Sequence, residues 1–168
     1  MIINEAVLNR LTSDTKELFD FYDKKGLRKS AKQKSEDISG LLETAIEDLI
    51  EGAVAPKVDS EPDIRLKGAP VELKTSAGDC WRGGTFSKRG GHFVFINWET
   101  DDKNNPSFFI AGIDLVEEDW KMSTSDNYYA TTFGKKELLE NIDRVTFYTG
   151  SLESYKRGKQ TCIKLHKS

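Results

Sequence analysis

The sequence predicts an α/β domain in which a central mixed β-sheet is flanked by helices. Three stretches carry that expectation. From Ser35 to Glu51 the apolar residues Ile38, Leu41, Leu42, Ala45, Ile46, Leu49 and Ile50 recur at three- and four-residue spacing, the period of an amphipathic helix. Between Pro62 and Lys74 two short alternating runs are broken by Gly68 and Pro70 at the spacing of a tight hairpin. Phe93-Val94-Phe95-Ile96-Asn97-Trp98 is an almost continuous apolar run, as expected of a central strand covered on both faces.

The remaining elements follow in chain order. An opening helix is expected from Asn4 to Tyr22, with Val7, Leu8, Leu11, Leu18, Phe19 and Tyr22 as its core stripe. A basic linker over residues 24–34 leads to the second helix, which Ser35 can cap and Gly52 can end. After the hairpin, the glycine-rich stretch from Thr75 to His92 reads as a loop. Asp101 to Pro106 is a turn and Phe108 to Leu115 a strand. Tyr128–Thr132, Arg144–Tyr148 and Thr161–Leu165 are shorter strands, and Gly134–Ile142 is a helix. The 168 residues, 37% of them hydrophobic, suit one domain with a real core. Its expected parts are an N-terminal helix and basic linker over 1–35, a core over 36–100, and the remaining sheet and helix, with candidate contact or dimer elements, over 101–168.

Period-two alternation puts Glu72 and Lys74 on one face of the second hairpin strand and Val71 and Leu73 on the other. If Asp63 stands opposite, two carboxylates meet a cation, an oxygen donor set suited to a hard divalent ion such as magnesium. A lysine beside it can steer or deprotonate a water. Glu43 falls at the edge of the preceding helix's apolar stripe, whereas Glu47 points more squarely to solvent. In the glycine-rich stretch, Ser76, Arg82, Lys88 and Arg89 are donors to phosphate, and glycines let backbone amides approach closely, so this loop is expected to face DNA. Phe93, Phe95, Trp98, Phe108 and Phe109 are expected in the core; Trp81, Tyr128, Tyr129 and Tyr155 fall near loops or strand ends, where partial burial at the surface is the commoner fate and contact with DNA the alternative.

The formal net charge of -3 is segregated. Residues 24–34 carry Lys24, Lys25, Arg28, Lys29, Lys32 and Lys34 without an acid, whereas residues 36–63 carry nine acids against Lys57. A local basic surface is what a nucleic-acid footprint requires. Cys80 and Cys162 read as free thiols, and His92 and His166 lack partners at ligand spacing, which argues against zinc. With no run of membrane-spanning length and no signal-peptide order at the N-terminus, the expectation is a soluble cytoplasmic protein without a membrane partner.

Pro62-Asp63, eight intervening residues and Glu72-Leu73-Lys74 together resemble the PD-(D/E)XK nuclease superfamily, most closely its type II restriction endonuclease branch, over roughly residues 36–100. The resemblance implies a restriction-endonuclease-like fold and magnesium-dependent hydrolysis of DNA, with Asp63 and Glu72 as metal ligands, the Leu73 carbonyl beside them, and Lys74 at the attacking water. In that superfamily a helix glutamate often completes the site, and Ser39-Gly40-Leu41-Leu42-Glu43 looks like that segment, so Glu43 is the first choice and Glu47 the second. It implies double-stranded DNA as substrate and a homodimer reading a palindrome, with the Tyr155–Gln160 loop, through Lys156 and Arg157, as a second contact. Two alternatives stay open: a structure-specific repair or recombination nuclease of the same superfamily, and a non-catalytic DNA-binding or protein-interaction domain.

Overall fold

The computed structural model describes residues 1–83, 90–125 and 128–155, and for residues 121–125 and 128–131 it describes the backbone only. Two helices lead. The first, α1 (Glu5–Lys25), starts where the Asn4 side chain accepts the Val7 N–H at 2.9 Å. It stops at Gly26, whose φ of 67° is the left-handed conformation glycine adopts without a Cβ penalty. The second, α2 (Ala31–Leu49), is capped by Ser30 in a reciprocal box with Gln33. The expected cap, Ser35, is instead a buried residue inside the helix, its hydroxyl accepting from the Trp98 indole N–H at 2.9 Å. Part of the expected basic linker is therefore the first turn of α2, and the boundary drawn at residue 35 falls within a helix.

Six strands form the main sheet: β1 (Ala53–Val54), β2 (Ile64–Leu66), β3 (Ala69–Ser76), β5 (Gly91–Thr100), β6 (Pro106–Leu115) and β9 (Thr146–Thr149), hydrogen-bonded in the order 1-2-3-5-6-9. β3 and β5 are parallel and the other neighbours antiparallel, so the fold is α/β with a mixed sheet, as the sequence predicts. The β2–β3 hairpin turns on Lys67 and Gly68, both at positive φ (51° and 85°), the signature of a two-residue primed turn. Three strands, β4 (Cys80–Arg82), β8 (Tyr128–Gly134) and β7 (Lys121–Ser125), pair in that order as a second sheet, followed by a short helix α3 (Lys135–Glu140).

The main sheet is buried on both faces because β5 is apolar on both. Val94, Ile96 and Trp98 pack with Val7, Leu11 and Phe19 of α1 and Ile38, Leu42 and Ile46 of α2. Phe93 and Phe95 turn the other way, into a cluster with Trp81, Trp120, Phe133, Leu138 and Tyr155. The expected helix–sheet–helix sandwich is thus corrected: the second face is covered mainly by the small sheet, with α3 at its edge. Trp81 and Tyr155 are corrected with it. Both are about 1% exposed, stacked at 4.7 Å with 8° between their rings, and Trp81 donates its indole N–H to the Ile96 carbonyl at 2.8 Å. The expected loop from Thr75 to His92 contains the end of β3, β4 and the start of β5. The Thr161–Leu165 strand lies outside the described residues. Among the described residues no helix is long and apolar enough to cross a membrane.

Candidate active site

The site is built where the β2–β3 hairpin passes under α2. Alternation along β3 sends Val71 and Leu73 into the helix-side core and Glu72 and Lys74 to the other face. The Glu72 carboxylate is nearly buried, with 9% of its side chain exposed, and its Oε2 lies 3.7 Å from Lys74 Nζ. Asp63, just before β2, reaches across the hairpin so that its Oδ2 accepts the Leu73 N–H at 2.7 Å. That bond holds the Asp63 carboxylate against the Leu73 backbone. Asp63, Glu72, Leu73 and Lys74 are therefore brought together by two strands and one turn.

Glu43 comes from α2. Ser39, one helical turn earlier on the same face, hydrogen-bonds the Thr75 hydroxyl at 2.7 Å and so ties the helix to the strand that carries Glu72. The Glu43 carboxyl is pushed up to about 7, first by burial and then by the Asp63 carboxylate, with Glu72 adding to it and Lys57 opposing. Glu47 is separate: its Oε2 accepts the Ala55 N–H at 2.6 Å, a structural bond that holds the chain leaving β1, and so it is not turned freely to solvent.

Two clefts are lined by residues of this region. One, of about 480 Å³, is polar and lined by Glu43, Lys57, Asp59, Glu61 and Asp63 among others. Its rim is held by Arg65, which binds the Glu61 carboxylate at 2.7 Å and the Gly68 carbonyl at 3.1 Å. The other, of about 510 Å³, takes Lys74, Ser39, Thr75 and Ser76 from the strand and helix, and Lys32 and Arg82 from its rim. Asn97, buried in β5, fixes the turn after Ser76 by donating to the Ser76 and Gly78 carbonyls at 2.8 and 3.0 Å. The Ser76 hydroxyl accepts the Gly78 N–H, and Arg82 is exposed at the end of β4. Lys88, Arg89, Lys156 and Arg157 lie outside the described residues.

The chemistry of this donor set fits a divalent cation. The Asp63 and Glu72 carboxylates both raise the proton affinity of Glu43 while Lys57 opposes them, a concentration of negative charge that a hard cation relieves. Among the described residues no three acid, histidine or cysteine side chains are grouped so that all three could hold a metal ion; magnesium keeps several waters and needs only one or two carboxylates. Sequence reading missed Ser39, Lys32 and Lys57. The four-residue spacing from Ser39 to Glu43 was the available signal for the first.

The raised Glu43 value has a measurable consequence in metal-free protein. Unfolded, this carboxyl ionises near its ordinary 4.5; folded, near about 7. Between those values the folded state holds a proton that the unfolded state has released, so stability falls as pH rises through the window and the loss is complete above it. Denaturant melts in a chelator from pH 4.5 to 8 are expected to show a flatter profile for Glu43→Gln than for the wild type. Parallel profiles would contradict the coupling. Comparison with family models and with curated proteins finds no match to this chain.

Proposed function

We propose that the protein is a magnesium-dependent DNA endonuclease of the type II restriction kind, hydrolysing phosphodiester bonds at the cluster of Asp63, Glu72, Glu43 and Lys74. The observation that carries this reading is the hairpin geometry, with Asp63 held on the Leu73 N–H and Glu72 paired with Lys74 on one strand face, together with Glu43 of α2 lying near enough to feel the charge of both acids. A helix leading into a hairpin whose second strand runs parallel to its next neighbour is also in keeping with a restriction-endonuclease-like arrangement.

Asp63 and Glu72 would hold the ion, with the Leu73 carbonyl adjacent and Glu43 completing the set from the helix. Magnesium, when bound, supplies charge stabilisation at the scissile phosphate and lowers the pKa of a bound water. Lys74 does the rest from its own side of the strand: its ammonium orients the attacking water and offsets charge developing on the phosphate. The Glu72 carboxylate is nearly buried, and burial strengthens its interaction with a cation. One such site cuts one strand, so a homodimer on a palindromic site is the natural assembly.

Incubation of the protein with phage DNA and magnesium is expected to give discrete fragments. Preferential cutting of branched over intact duplex DNA would replace restriction by structure-specific repair. Intact DNA in every divalent metal would leave a non-catalytic binding domain. Within the site, Glu43→Gln is expected to slow cleavage at low magnesium more than Glu47→Gln, which keeps an acceptor for Ala55; an equal or reversed order would move the third ligand along the helix.

A further inference from the structure

We propose that the cleft between the first turns of α2 and the β3–β4 segment holds the phosphate backbone of duplex DNA beside the scissile position, with Lys32 and Arg82 as its phosphate contacts. The proposal rests on the nuclease reading for the identity of the polyanion, but its geometry is separate from the acid cluster. The two clefts share no lining residue: Glu43 and Asp63 line the first, and Lys74 lines the second. A strand crossing β3 therefore leaves the carboxylates and enters a cleft whose floor is the Ser39–Thr75 hydroxyl pair and Ser76. Hydroxyls and lysine or arginine heads are the usual donors to phosphate oxygens.

Lys32 and Arg82 are exposed, and among the described residues neither is engaged in an ion pair, whereas Arg10, Lys16, Arg65 and Arg144 are each matched to a carboxylate. Further exposed cations precede Lys32 in the chain, Lys24 and Lys25 in the last turn of α1 and Arg28 and Lys29 in the connection to α2. On the β side the Ser76–Gly78 turn is held in place by the buried Asn97, so that part of the cleft wall is set before a ligand arrives. One group opposes: Glu36, exposed on α2, lines the same cleft and repels phosphate.

The test is fluorescence anisotropy of a short fluorescein-labelled duplex of mixed sequence, with the full chain in calcium and no magnesium, across a salt series. Lys32→Ala and Arg82→Ala are each expected to lower the slope of log affinity against log salt by about 0.9, and the double variant by about twice that. Glu36→Gln is expected to tighten binding, and Lys136→Ala, on α3, to leave it unchanged. No binding by the wild type, unchanged slopes in both basic variants, or weaker binding by Glu36→Gln would overturn the proposal. Binding in calcium does not depend on cleavage. A protein with these slopes that leaves DNA intact in magnesium loses only the nuclease reading, and one that cuts DNA while the slopes stay unchanged loses only this cleft.

Discussion

Asp63→Ala and Glu72→Ala are each expected to lose cleavage by on the order of a thousandfold or more while binding DNA as well as the wild type or better. The magnitude follows from the several kcal/mol of transition-state stabilisation that a bound metal supplies. The direction of the binding change follows from removing a carboxylate that repels phosphate. Asp63 also bonds the Leu73 N–H, so its alanine variant tests the hairpin as well as the metal. Asp63→Asn separates the two, because the amide oxygen still accepts that bond while the charge is gone. Near-normal cleavage by any of the three variants would remove the site assignment.

The second large effect is on folding. Trp81→Ala is expected to cost about 3–5 kcal/mol, the usual range for emptying a buried aromatic site, and to lower Tm by roughly 10 °C in a chain of this size. Trp81 is sandwiched by Tyr155 and Phe95, each with ring centroids at 4.7 Å, and its indole satisfies the Ile96 carbonyl. Trp81→Phe retains most of the ring contact and loses the hydrogen bond, so a cost of about 1 kcal/mol is expected. An unchanged Tm in Trp81→Ala, with weaker DNA binding instead, would contradict the core role and favour contact with DNA.

The contrast between Trp81 and Glu72 shows which parts of the molecule are legible in the chain. Glu72, Lys74 and the Lys67-Gly68 turn lie within one hairpin, where period-two alternation and turn chemistry are local rules, and β5 announces itself by being apolar on both faces. Trp81 sits in a three-residue strand whose partner, β8, is about fifty residues away in sequence, with Trp81 opposite Phe133. Nothing between Gly78 and Gly83 records that pairing, and the flanking glycines imitate a loop. The start of α2 was legible and misread: Ser30 followed three residues later by Gln33 is a capping box. Ser35 has no such partner, and its hydroxyl serves Trp98, 63 residues on.

The candidate site divides in the same way. That Glu43 rather than Glu47 joins Asp63 and Glu72 follows from where each falls around α2 and from the Ala55 N–H that occupies Glu47. The first is helical periodicity; the second depends on how the chain returns after Gly52. The basic groups are legible as charge but not as surface, because Lys32 belongs to a helix face over the cleft and not to a linker.

The most direct test of the central claim, that the acid cluster is a divalent-metal site, is a manganese titration of the DNA-free protein followed by electron paramagnetic resonance of the unbound ion. Wild type and Glu47→Gln are expected to take up manganese alike, and Asp63→Asn to lose that uptake. Equal uptake by wild type and Asp63→Asn would contradict the claim.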